Sequence, residues 1–358
     1  MQIIDDTASG ALSTASPLRA TVTRLDLWTD PIFERVLGEQ PGITLQVLPA
    51  QGDPQATLAG LRQSHAYHVS AAKDELPRPW FVSAELIAQC PQLLVVSSSG
   101  AGYDTIDAAA CTAAGIAVVN QAGGNAESVA EQTFALLLAV KRRVVESHQA
   151  LQQGRADSRE SLMGREIHGL VLGLVGIGQI GKRVARIARG FGLTVLAHDP
   201  QLDDAAVRAL GAEPVTLSEL LARSDVVSLH CPLDAGTRNL IDASAFAAMK
   251  PGAVFISTAR GGIHDESALL AALESGHLAG AGLDVWVQEP PAASHPLLAL
   301  PNVVASFHTG GVTHEGRRNV ARSSAEQILA VLRGQRPPQL RNPEVWPRVL
   351  ERLRAHAT

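Results

Sequence analysis

Three polar side chains follow three successive apolar runs in the second half of the chain: Arg260 in STARGG, Glu289 in WVQEPP and His308 in ASFHTGG. Ligands of an open parallel sheet bind beyond the carboxyl ends of its strands, so side chains placed in this way can meet at one site. Hydride transfer between an alcohol and a ketone needs these three groups. An imidazole exchanges the hydroxyl proton, a carboxylate holds the imidazole and favours its charged form, and a guanidinium grips an acid group and polarises the carbonyl.

Each of these residues has a simpler interpretation when it is considered alone. A histidine at a strand end is more often structural than catalytic, and an arginine after a strand is more often a surface residue. Asp284 lies in the same region and is either a further acid near the reacting group or a turn cap. The catalytic interpretation therefore depends on what else the chain supplies.

A glycine-rich turn precedes these residues in GLVGIGQIGKRVA, where Gly176, Gly178 and Gly181 have the GxGxxG spacing. An apolar run leads into the turn and a Val-, Ile- and Ala-rich helical stretch leaves it, as in dinucleotide-binding βαβ units. Asp199 ends the next apolar run, where a carboxylate accepts hydrogen bonds from the ribose hydroxyls and repels a 2′-phosphate. The alternative role for Asp199 is to begin the following turn. The spacing predicts a site for NAD rather than NADP, although the neighbouring His198 introduces a basic group that weakens this preference.

The elements that position these groups alternate between strands and helices. Short β-branched runs alternate with helical stretches from 21 to 120 and again from 169 to 308, which predicts βαβ units and parallel sheets. Between these two regions, residues 125–154 are predicted to form one long helix that begins at Asn125 and ends at Gly154. A last helix is predicted over 314–333, followed by a proline-rich arm or loose tail.

Composition limits the class of protein. A chain of 358 residues is long enough for roughly two domains. The net charge of −5 argues against nucleic acid or a membrane surface as the main partner. The three cysteines form no CxxC pair, so a metal site is not expected. Their low, odd number is expected for reduced thiols and a cytoplasmic location. The N-terminus has no secretory signal pattern, and no apolar run reaches the length of a membrane helix.

Several motifs stand in an order that resembles the D-isomer-specific 2-hydroxyacid dehydrogenase family, and the resemblance extends from about residue 80 onward. Several motifs in the same order as in a family are more specific evidence for that family than any single motif. Besides the glycine-rich turn they are SSSGAGYDTID (97–107), NQAGGNAESVAE (120–131), DVVSLHCPLDAGTRNLI (225–241), STARGGIHDESAL (257–269), AGLDVWVQEP (281–290) and FHTGG (307–311).

The resemblance implies roles for individual residues. The catalytic set falls on Arg260, Glu289 and His308. A small 2-keto or 2-hydroxy acid is the implied substrate, and its carboxylate would bind Arg260 and the backbone amides of Ser99, Gly100, Ala101 and Gly102. The implied cofactor contacts, besides the three glycines, are Gln179, Ile180, Asp199, Pro232, Thr258 and Asp284.

The resemblance also implies an α/β architecture of two Rossmann-like or flavodoxin-like domains with parallel sheets, in which the nucleotide domain is inserted in the substrate domain. The expected division is a loose tail at 1–20, a substrate domain at 21–121 and 308–358, and an NAD-binding domain at 122–307. The helix from residue 125 would serve a homodimer. The chain departs from the family pattern at Phe307, where proline is common, and at His264, where valine is common; both departures bear on substrate and pH dependence.

Other functions remain open at the level of sequence. An NADH-responsive binding protein, similar to transcriptional corepressors of this fold, would keep the same three residues with little turnover. A formate dehydrogenase is disfavoured because that group pairs its histidine with glutamine, and a methyltransferase would not explain the three polar residues together. Glyoxylate, hydroxypyruvate, pyruvate, phosphoglycerate and bulkier acids are all compatible with the motifs. Lys141, Arg142 and Arg143 either reach a phosphate or form a solvated helix face.

Overall fold

The computed structural model describes residues 19–155 and 158–356 of the chain. Most of the predicted tail at 1–20 lies outside the described residues, but Ala20 already belongs to the first strand. The strands are β1 (Ala20–Leu25), β2 (Ile43–Leu48), β3 (Ala66–Val69), β4 (Val95–Ser98), β5 (Ala117–Val119), β6 (Val171–Val175), β7 (Thr194–His198), β8 (Glu213–Pro214), β9 (Val226–Leu229), β10 (Ala253–Ser257), β11 (Leu278–Leu283) and β12 (Val303–Ala305).

Helices connect these strands in the manner of βαβ units. They are α1 (Ile32–Gly38), α2 (Pro54–Leu61), α3 (Ala84–Gln89), α4 (Ala108–Ala114), α5 (Ala126–Lys141), α6 (Val144–Gln152), α7 (Gly181–Gly190), α8 (Asp204–Ala209), α9 (Leu217–Arg223), α10 (Ala243–Ala248), α11 (Glu266–Glu274), α12 (His314–Leu332) and α13 (Trp346–His356). Short 3₁₀ turns are found at Arg78–Trp80, Pro296–Ala299 and Pro343–Val345. In the part of the chain that the structure describes, no helix has both the length and the apolar character needed to cross a membrane.

The chain divides into two compact units, one of which interrupts the other. The outer unit contains the described residues up to Gly124 together with the segment from Arg318, and the inner unit runs Asn125–Arg317. The outer unit has a sheet in the order β2-β1-β3-β4-β5, and the inner unit has a sheet in the order β12-β11-β10-β9-β6-β7-β8. The ladder pairings of both sheets are parallel, which confirms the predicted α/β fold class.

Both sheets are covered on their two faces, which explains their uninterrupted apolar sequences. Every residue of β9 and β10 is buried, as are all residues of β3, β4 and β5. Strands that are buried on both faces read as continuous Val-, Ile- and Leu-rich runs rather than as alternating ones. This burial fixes the strand ends from which the candidate functional side chains project.

The predicted single helix over 125–154 is wrong, because the structure has two helices there, α5 and α6. Arg143 lies between them in the left-handed region with φ of 53°. The backbone N–H of Arg165 donates a hydrogen bond of 2.7 Å to the Lys141 carbonyl at the end of α5. The Arg143 side chain donates to both carboxylate oxygens of Glu146 and to the carbonyl of Ser161. A tertiary contact and a side-chain anchor therefore end the helix where its sequence pattern would continue.

Two other predictions need correction. The strand before His308 ends at Ala305, three residues earlier than the apolar pattern indicates, because the chain turns there to reach Asp284. The C-terminal segment is an ordered arm, one of the two predicted alternatives, but it is followed by α13, a helix that the sequence analysis did not predict. The arm binds β5 through a bridge between Leu340 and Val119.

Asn342 fixes this arm to the outer sheet. Its side-chain oxygen accepts a hydrogen bond from the Val118 N–H, and its amide donates to the Ile116 carbonyl and to the Thr112 hydroxyl, each at 2.9 Å. Asn342 is buried, so its loss would leave buried backbone groups without partners.

We expect Asn342→Ala to lower the free energy of unfolding by about 2–4 kcal/mol, because it removes these hydrogen bonds from buried groups. Chemical denaturation measures the change. Asn302→Ala is the control, since Asn302 is only half-buried and its side chain donates a long hydrogen bond, of 3.3 Å, to the Ala279 carbonyl. Equal stability of the two variants would contradict this role of Asn342.

Candidate active site

The glycine-rich turn of the inner unit joins β6 to α7, and its glycines have different neighbours. Gly176 has φ of 93°, and a Cβ there would lie 2.9 Å from the His230 carbonyl carbon and the Cys231 nitrogen. A Cβ on Gly181 would lie 2.4 Å from the Gly176 carbonyl oxygen. A Cβ on Gly178 would have no heavy atom within 4 Å. Gly176 and Gly181 are therefore required by the packing of the turn, whereas Gly178 is not.

The open space beside Gly178 lies at the N-terminus of α7, a helix of 10 residues. The first turn of a helix has N–H groups without intrahelical acceptors and a partial positive charge, which together suit a pyrophosphate. A side chain at 178 would fill the space that a phosphate needs to approach the backbone. These features fit the pyrophosphate of NAD.

Asp199 follows β7 and faces the same turn. Its Oδ2 accepts a hydrogen bond of 2.9 Å from the Ile177 N–H, and its Oδ1 accepts one of 3.0 Å from the Gln201 N–H. The carboxylate thus both supports the glycine-rich turn and begins the next one, and it remains half-exposed. The neighbouring His198 lies with Nδ1 3.2 Å from the carbonyl of Val215, the residue that follows β8.

Other predicted cofactor residues lie on the same unit. Ile180 is the residue before α7, and the Gln179 carbonyl accepts a hydrogen bond from Arg183. Pro232 is exposed after β9. Thr258 follows β10 and is buried, with its hydroxyl 3.1 Å from that of Thr133 on α5.

His308 and Glu289 form a direct pair. The distance from His308 Nδ1 to Glu289 Oε2 is 2.8 Å, and the side chains are 41% and 27% exposed. The other carboxylate oxygen of Glu289 accepts a hydrogen bond of 3.1 Å from the Trp286 N–H. With Nδ1 bonded to Glu289, the second ring nitrogen of His308, Nε2, is the one left to exchange a proton with a ligand.

The charge of Glu289 is fixed by competing effects. Partial burial raises its pKa, but the His308 hydrogen bond and charge, the Trp286 N–H and the Arg260 guanidinium outweigh burial, so the net pKa is lowered. Because the pKa is lowered, Glu289 stays ionised as the pH falls through the usual glutamate range, and its attraction for a charged imidazole persists there. Arg260 lies after β10 and donates a hydrogen bond of 2.7 Å to the Ala259 carbonyl.

Asp284 organises the loop that carries His308. Its Oδ1 accepts hydrogen bonds from the Ser306 hydroxyl (2.6 Å) and the Thr309 N–H (2.9 Å), and its Oδ2 accepts one from the Gly310 N–H (2.8 Å). Its backbone carbonyl accepts a hydrogen bond of 2.8 Å from the His308 N–H. Asp284 is 1% exposed, so these hydrogen bonds compensate a buried carboxylate. The structure thus gives Asp284 a role in loop geometry that goes beyond the turn cap considered in the sequence analysis.

His308 itself has a backbone conformation that few residues adopt. Its φ is 49°, in the left-handed region, where a non-glycine residue is uncommon and needs support from its surroundings. The support is the set of hydrogen bonds from residues 306–310 to Asp284. In this conformation the imidazole forms its 2.8 Å contact with Glu289.

The turn at 286–287 connects Arg260 to the His308–Glu289 pair. A Cβ on Gly261 would lie 1.8 Å from the Trp286 carbonyl oxygen, so only glycine lets these two loops meet. Glu266 accepts a hydrogen bond of 2.8 Å from the Val287 N–H and lies 3.3 Å from His295 Nε2. The sequence analysis missed Glu266 and His295 as supporting residues. The only available signal was the position of Glu266 in the motif at 257–269, since contacts between loops of different strands are not visible in spacing.

The predicted substrate loop lies on the outer unit. The carbonyls of Gly100, Ala101 and Gly102 accept hydrogen bonds from the Gln121 N–H, the Asn120 side chain and the Ser98 hydroxyl, respectively. Among the described residues, no acceptor is found for the backbone N–H groups of 100–102. The carbonyls of this loop are held by hydrogen bonds within the outer unit, and its amides at 100–102 are available to an anion.

The two departures from the family pattern have different surroundings. Phe307 is 64% exposed, whereas its neighbours Ser306 and His308 both donate hydrogen bonds to Asp284. His264 is 1% exposed beside Phe255, and burial lowers its pKa to about 4. His264 is therefore neutral at physiological pH. Among the three basic residues at the end of α5, Lys141, Arg142 and Arg143, the last forms an ion pair with Glu146.

Comparison with known proteins agrees with this arrangement. The family model for D-isomer specific 2-hydroxyacid dehydrogenase, NAD binding domain, matches residues 134–310. The chain is 41% identical over 267 residues to a glyoxylate reductase of Korarchaeum cryptofilum, with 74% of this chain and 80% of that protein covered. It is 40% identical over 261 residues to a D-3-phosphoglycerate dehydrogenase of Mycobacterium bovis, but these cover 73% of this chain and 49% of that protein.

A solved structure extends the similarity over most of the chain. D-lactate dehydrogenase from Aquifex aeolicus, complexed with NAD and lactic acid, has a TM-score of 0.75 and 25% identity, covering 90% of this chain and 97% of that one. The parallel sheets, the glycine-rich turn and the matched family model define a nicotinamide-dependent oxidoreductase. The chain belongs to the D-isomer specific 2-hydroxyacid dehydrogenase family and is an NAD-dependent enzyme that interconverts a 2-hydroxy acid and a 2-keto acid.

We expect Gly178→Ala to weaken NADH binding at least about tenfold without lowering the melting temperature, because the new methyl group enters open space that the pyrophosphate needs. Fluorescence titration with NADH and thermal unfolding measure the two effects. Gly181→Ala is the matched comparison and should lose stability, since its Cβ overlaps the Gly176 carbonyl. Unchanged NADH affinity in Gly178→Ala would contradict the assignment of this space to the pyrophosphate.

We expect Asp284→Asn to reduce kcat by about 100-fold, because an amide group cannot accept all the hydrogen bonds that hold the His308 loop, and small misplacements of a catalytic group are costly. The Kd for NADH should change little if Asp284 acts on the loop, and should rise if its carboxylate contacts the cofactor. Steady-state kinetics and NADH titration separate these effects. Asp203→Asn, at the exposed N-terminus of α8, is the control.

Proposed function

We propose that His308, Glu289 and Arg260 carry the reaction, with His308 as the acid and base, Glu289 as its charge partner and Arg260 as the anchor of the substrate carboxylate. The observation that supports this most directly is the 2.8 Å pair of His308 Nδ1 and Glu289 Oε2, on which the charge of Arg260 also acts. The pair leaves His308 Nε2 to face a ligand. A guanidinium can hold a carboxylate through two parallel hydrogen bonds.

In the reducing direction, NADH supplies the hydride to the carbonyl carbon of a 2-keto acid. His308 gives the Nε2 proton to the carbonyl oxygen as negative charge develops on that oxygen. Glu289 stabilises the charged imidazole before the transfer and keeps its ring oriented afterwards. Arg260 polarises the carbonyl and fixes the carboxylate, so that the ketone is presented in one orientation. In oxidation His308 accepts the hydroxyl proton.

The backbone amides of Gly100, Ala101 and Gly102 are the further proposed carboxylate contact, together with Arg260. Their support is the family resemblance and the fact that the loop carbonyls are bonded elsewhere. The Ser99 N–H, which the resemblance also implied, instead donates a hydrogen bond of 2.8 Å to the Val69 carbonyl. The proposed cofactor contacts are the glycine-rich turn with Gln179 and Ile180, the carboxylate of Asp199, and Pro232, Thr258 and Asp284. Asp199 favours NAD over NADP because a 2′-phosphate beside its carboxylate would be repelled.

We also propose a homodimer and a cytoplasmic location. The homodimer rests on the family resemblance of the segment that forms α5. The location is supported by the cysteines, which are all free thiols. Burial raises the pKa of Cys90 to about 11 and that of Cys111 to about 12, so these thiols are not reactive at neutral pH.

We expect His308→Ala and Arg260→Ala each to lower kcat/KM for a 2-keto acid by about 10²–10⁴-fold, because a proton donor or a carbonyl-polarising cation is lost. NADH should still bind both variants. NADH oxidation with glyoxylate, hydroxypyruvate and pyruvate measures the activity, and NADH titration measures binding. His148→Ala and Arg208→Ala, both exposed, are matched controls.

Retained turnover in both variants would contradict the proposed mechanism. A wild-type protein that binds NADH tightly but turns over none of the three acids would instead favour a regulatory NADH-binding role.

A further inference from the structure

The proposed carboxylate loop, residues 100–102, is held in the outer unit by the two residues that directly follow β5. The Gln121 N–H donates a hydrogen bond of 2.8 Å to the Gly100 carbonyl. The Asn120 side chain donates one of 2.5 Å to the Ala101 carbonyl. Asn120 and Gln121 are buried, with 3% and 1% of their surface exposed. The position of the loop therefore depends on what fixes these two residues.

Peptide planarity links the loop carbonyls to the amides that are proposed to bind the substrate. The Gly100 carbonyl shares a peptide plane with the Ala101 N–H, and the Ala101 carbonyl shares one with the Gly102 N–H. In a trans peptide the carbonyl and the N–H point in opposite directions. A hydrogen bond that fixes one of these carbonyls therefore also orients the N–H of the next residue, on the far side of the plane.

Gln327 on α12 bonds to both residues that hold the loop. Its Nε2 donates hydrogen bonds of 2.9 Å to the Asn120 carbonyl and 2.7 Å to Gln121 Oε1. Its Oε1 accepts one of 3.0 Å from the N–H of Gln339, in the C-terminal arm. The Gln327 side chain is buried, so these bonds are made away from solvent. One side chain thus joins α12 and the arm to the residues that fix the loop.

Asn120 has less support of its own than Gln121. The Gln121 side chain also donates from Nε2 to the Ser97 hydroxyl and the Ser98 carbonyl, each at 3.2 Å. In contrast, Asn120 Oδ1 is buried and has no hydrogen-bond partner among the described residues. The Asn120 N–H reaches the Gln339 carbonyl only at 3.4 Å. Of the two bonds that reach the Asn120 backbone from the C-terminal segment, the one to Gln327 is therefore the shorter.

We propose that Gln327 is a positioning residue for substrate binding. Through Asn120 and Gln121 it orients the amides of Ala101 and Gly102 that receive the substrate carboxylate. Hydrogen bonds have defined lengths and directions, so this buried network fixes the loop more precisely than apolar packing of the same volume would. The inference rests on the proposed function, because it assumes that these amides bind the carboxylate.

The first test is the variant Gln327→Met, which removes the amide and keeps the length of the side chain. The carboxylate is held equally in the ground state and the transition state, so weaker binding of it raises KM more than it lowers kcat. We expect KM for the best 2-keto acid among glyoxylate, hydroxypyruvate and pyruvate to rise at least about tenfold, with kcat within about threefold of wild type. The Kd for NADH should stay within about twofold of wild type.

Steady-state kinetics and NADH titration measure these quantities. Asn342→Ala is the stability-matched control, because it also removes buried hydrogen bonds between the C-terminal segment and the outer sheet. Asn342 bonds to neither Asn120 nor Gln121, so its loss should leave KM unchanged. An equal rise of KM in Gln327→Met and Asn342→Ala would reduce the effect to lost stability and would overturn the proposal.

The second test compares Gln327→Met with Asn120→Ala, which removes the direct bond to the Ala101 carbonyl. Both should raise KM, and the double variant should raise it by less than the product of the two single effects, because both residues act on one loop. A rise with Asn120→Ala alone, or a full product in the double variant, would overturn the role of Gln327 and leave the proposed carboxylate loop in place. No rise in either variant would be a failure of the proposed function at this loop.

Gln327→Asn is the second variant at this position, because it keeps an amide in the buried site if methionine does not fold there. Its side chain is one methylene shorter and cannot reach both the Asn120 carbonyl and Gln121 Oε1. KM should still rise at least about threefold, since a hydrogen bond between buried groups is lost. An unchanged KM in a folded Gln327→Asn variant would also overturn the proposal.

Discussion

The hydrogen bonding of the buried Asp284 carboxylate is the interaction on which the geometry of the His308 loop, and with it the proposed mechanism, depends. The carboxylate accepts hydrogen bonds from the Ser306 hydroxyl and from the backbone N–H groups of Thr309 and Gly310, while the Asp284 carbonyl accepts from the N–H of His308. A carboxylate without these donors would not remain buried, and the loop without this acceptor would not keep His308 in a left-handed backbone conformation. Each part of the arrangement therefore stabilises the other.

The carboxylate of Glu289 is likewise partly buried and is kept charged by its contacts. Its burial alone would favour the neutral acid, which would not hold an imidazolium. The contacts of His308, Trp286 and Arg260 reverse this effect and lower its pKa. The turn at 286–287 supplies the Trp286 N–H. Its Val287 N–H donates to the Glu266 carboxylate, and its Trp286 carbonyl packs directly against Gly261. The position of Glu289 is consequently linked to the loop that carries Arg260.

Much of the fold could be predicted because strands buried on both faces have a distinctive apolar composition. The glycine-rich turn was identified from spacing, but the structure adds that Gly176 and Gly181 act in packing and Gly178 leaves open space. The break between α5 and α6 could not be predicted, since it depends on Arg165 bonding to Lys141 across a loop. The strand β8 was missed because two residues are too few to show a strand pattern. The helix α13 was missed because it directly follows the proline-rich segment, which was expected to be the last segment of the chain. The cluster of hydrogen bonds around Asp284 was equally invisible, because it joins residues that are 22–26 positions apart.

A crystal structure of the enzyme with NADH and oxamate, an unreactive analogue of a 2-keto acid, would test the central claim most directly. We predict that His308 Nε2 lies about 3 Å from the analogue oxygen that replaces the ketone, while Nδ1 remains on Glu289 and Arg260 holds the analogue carboxylate. An analogue bound beside the nicotinamide with His308 or Arg260 turned away from it would contradict the account.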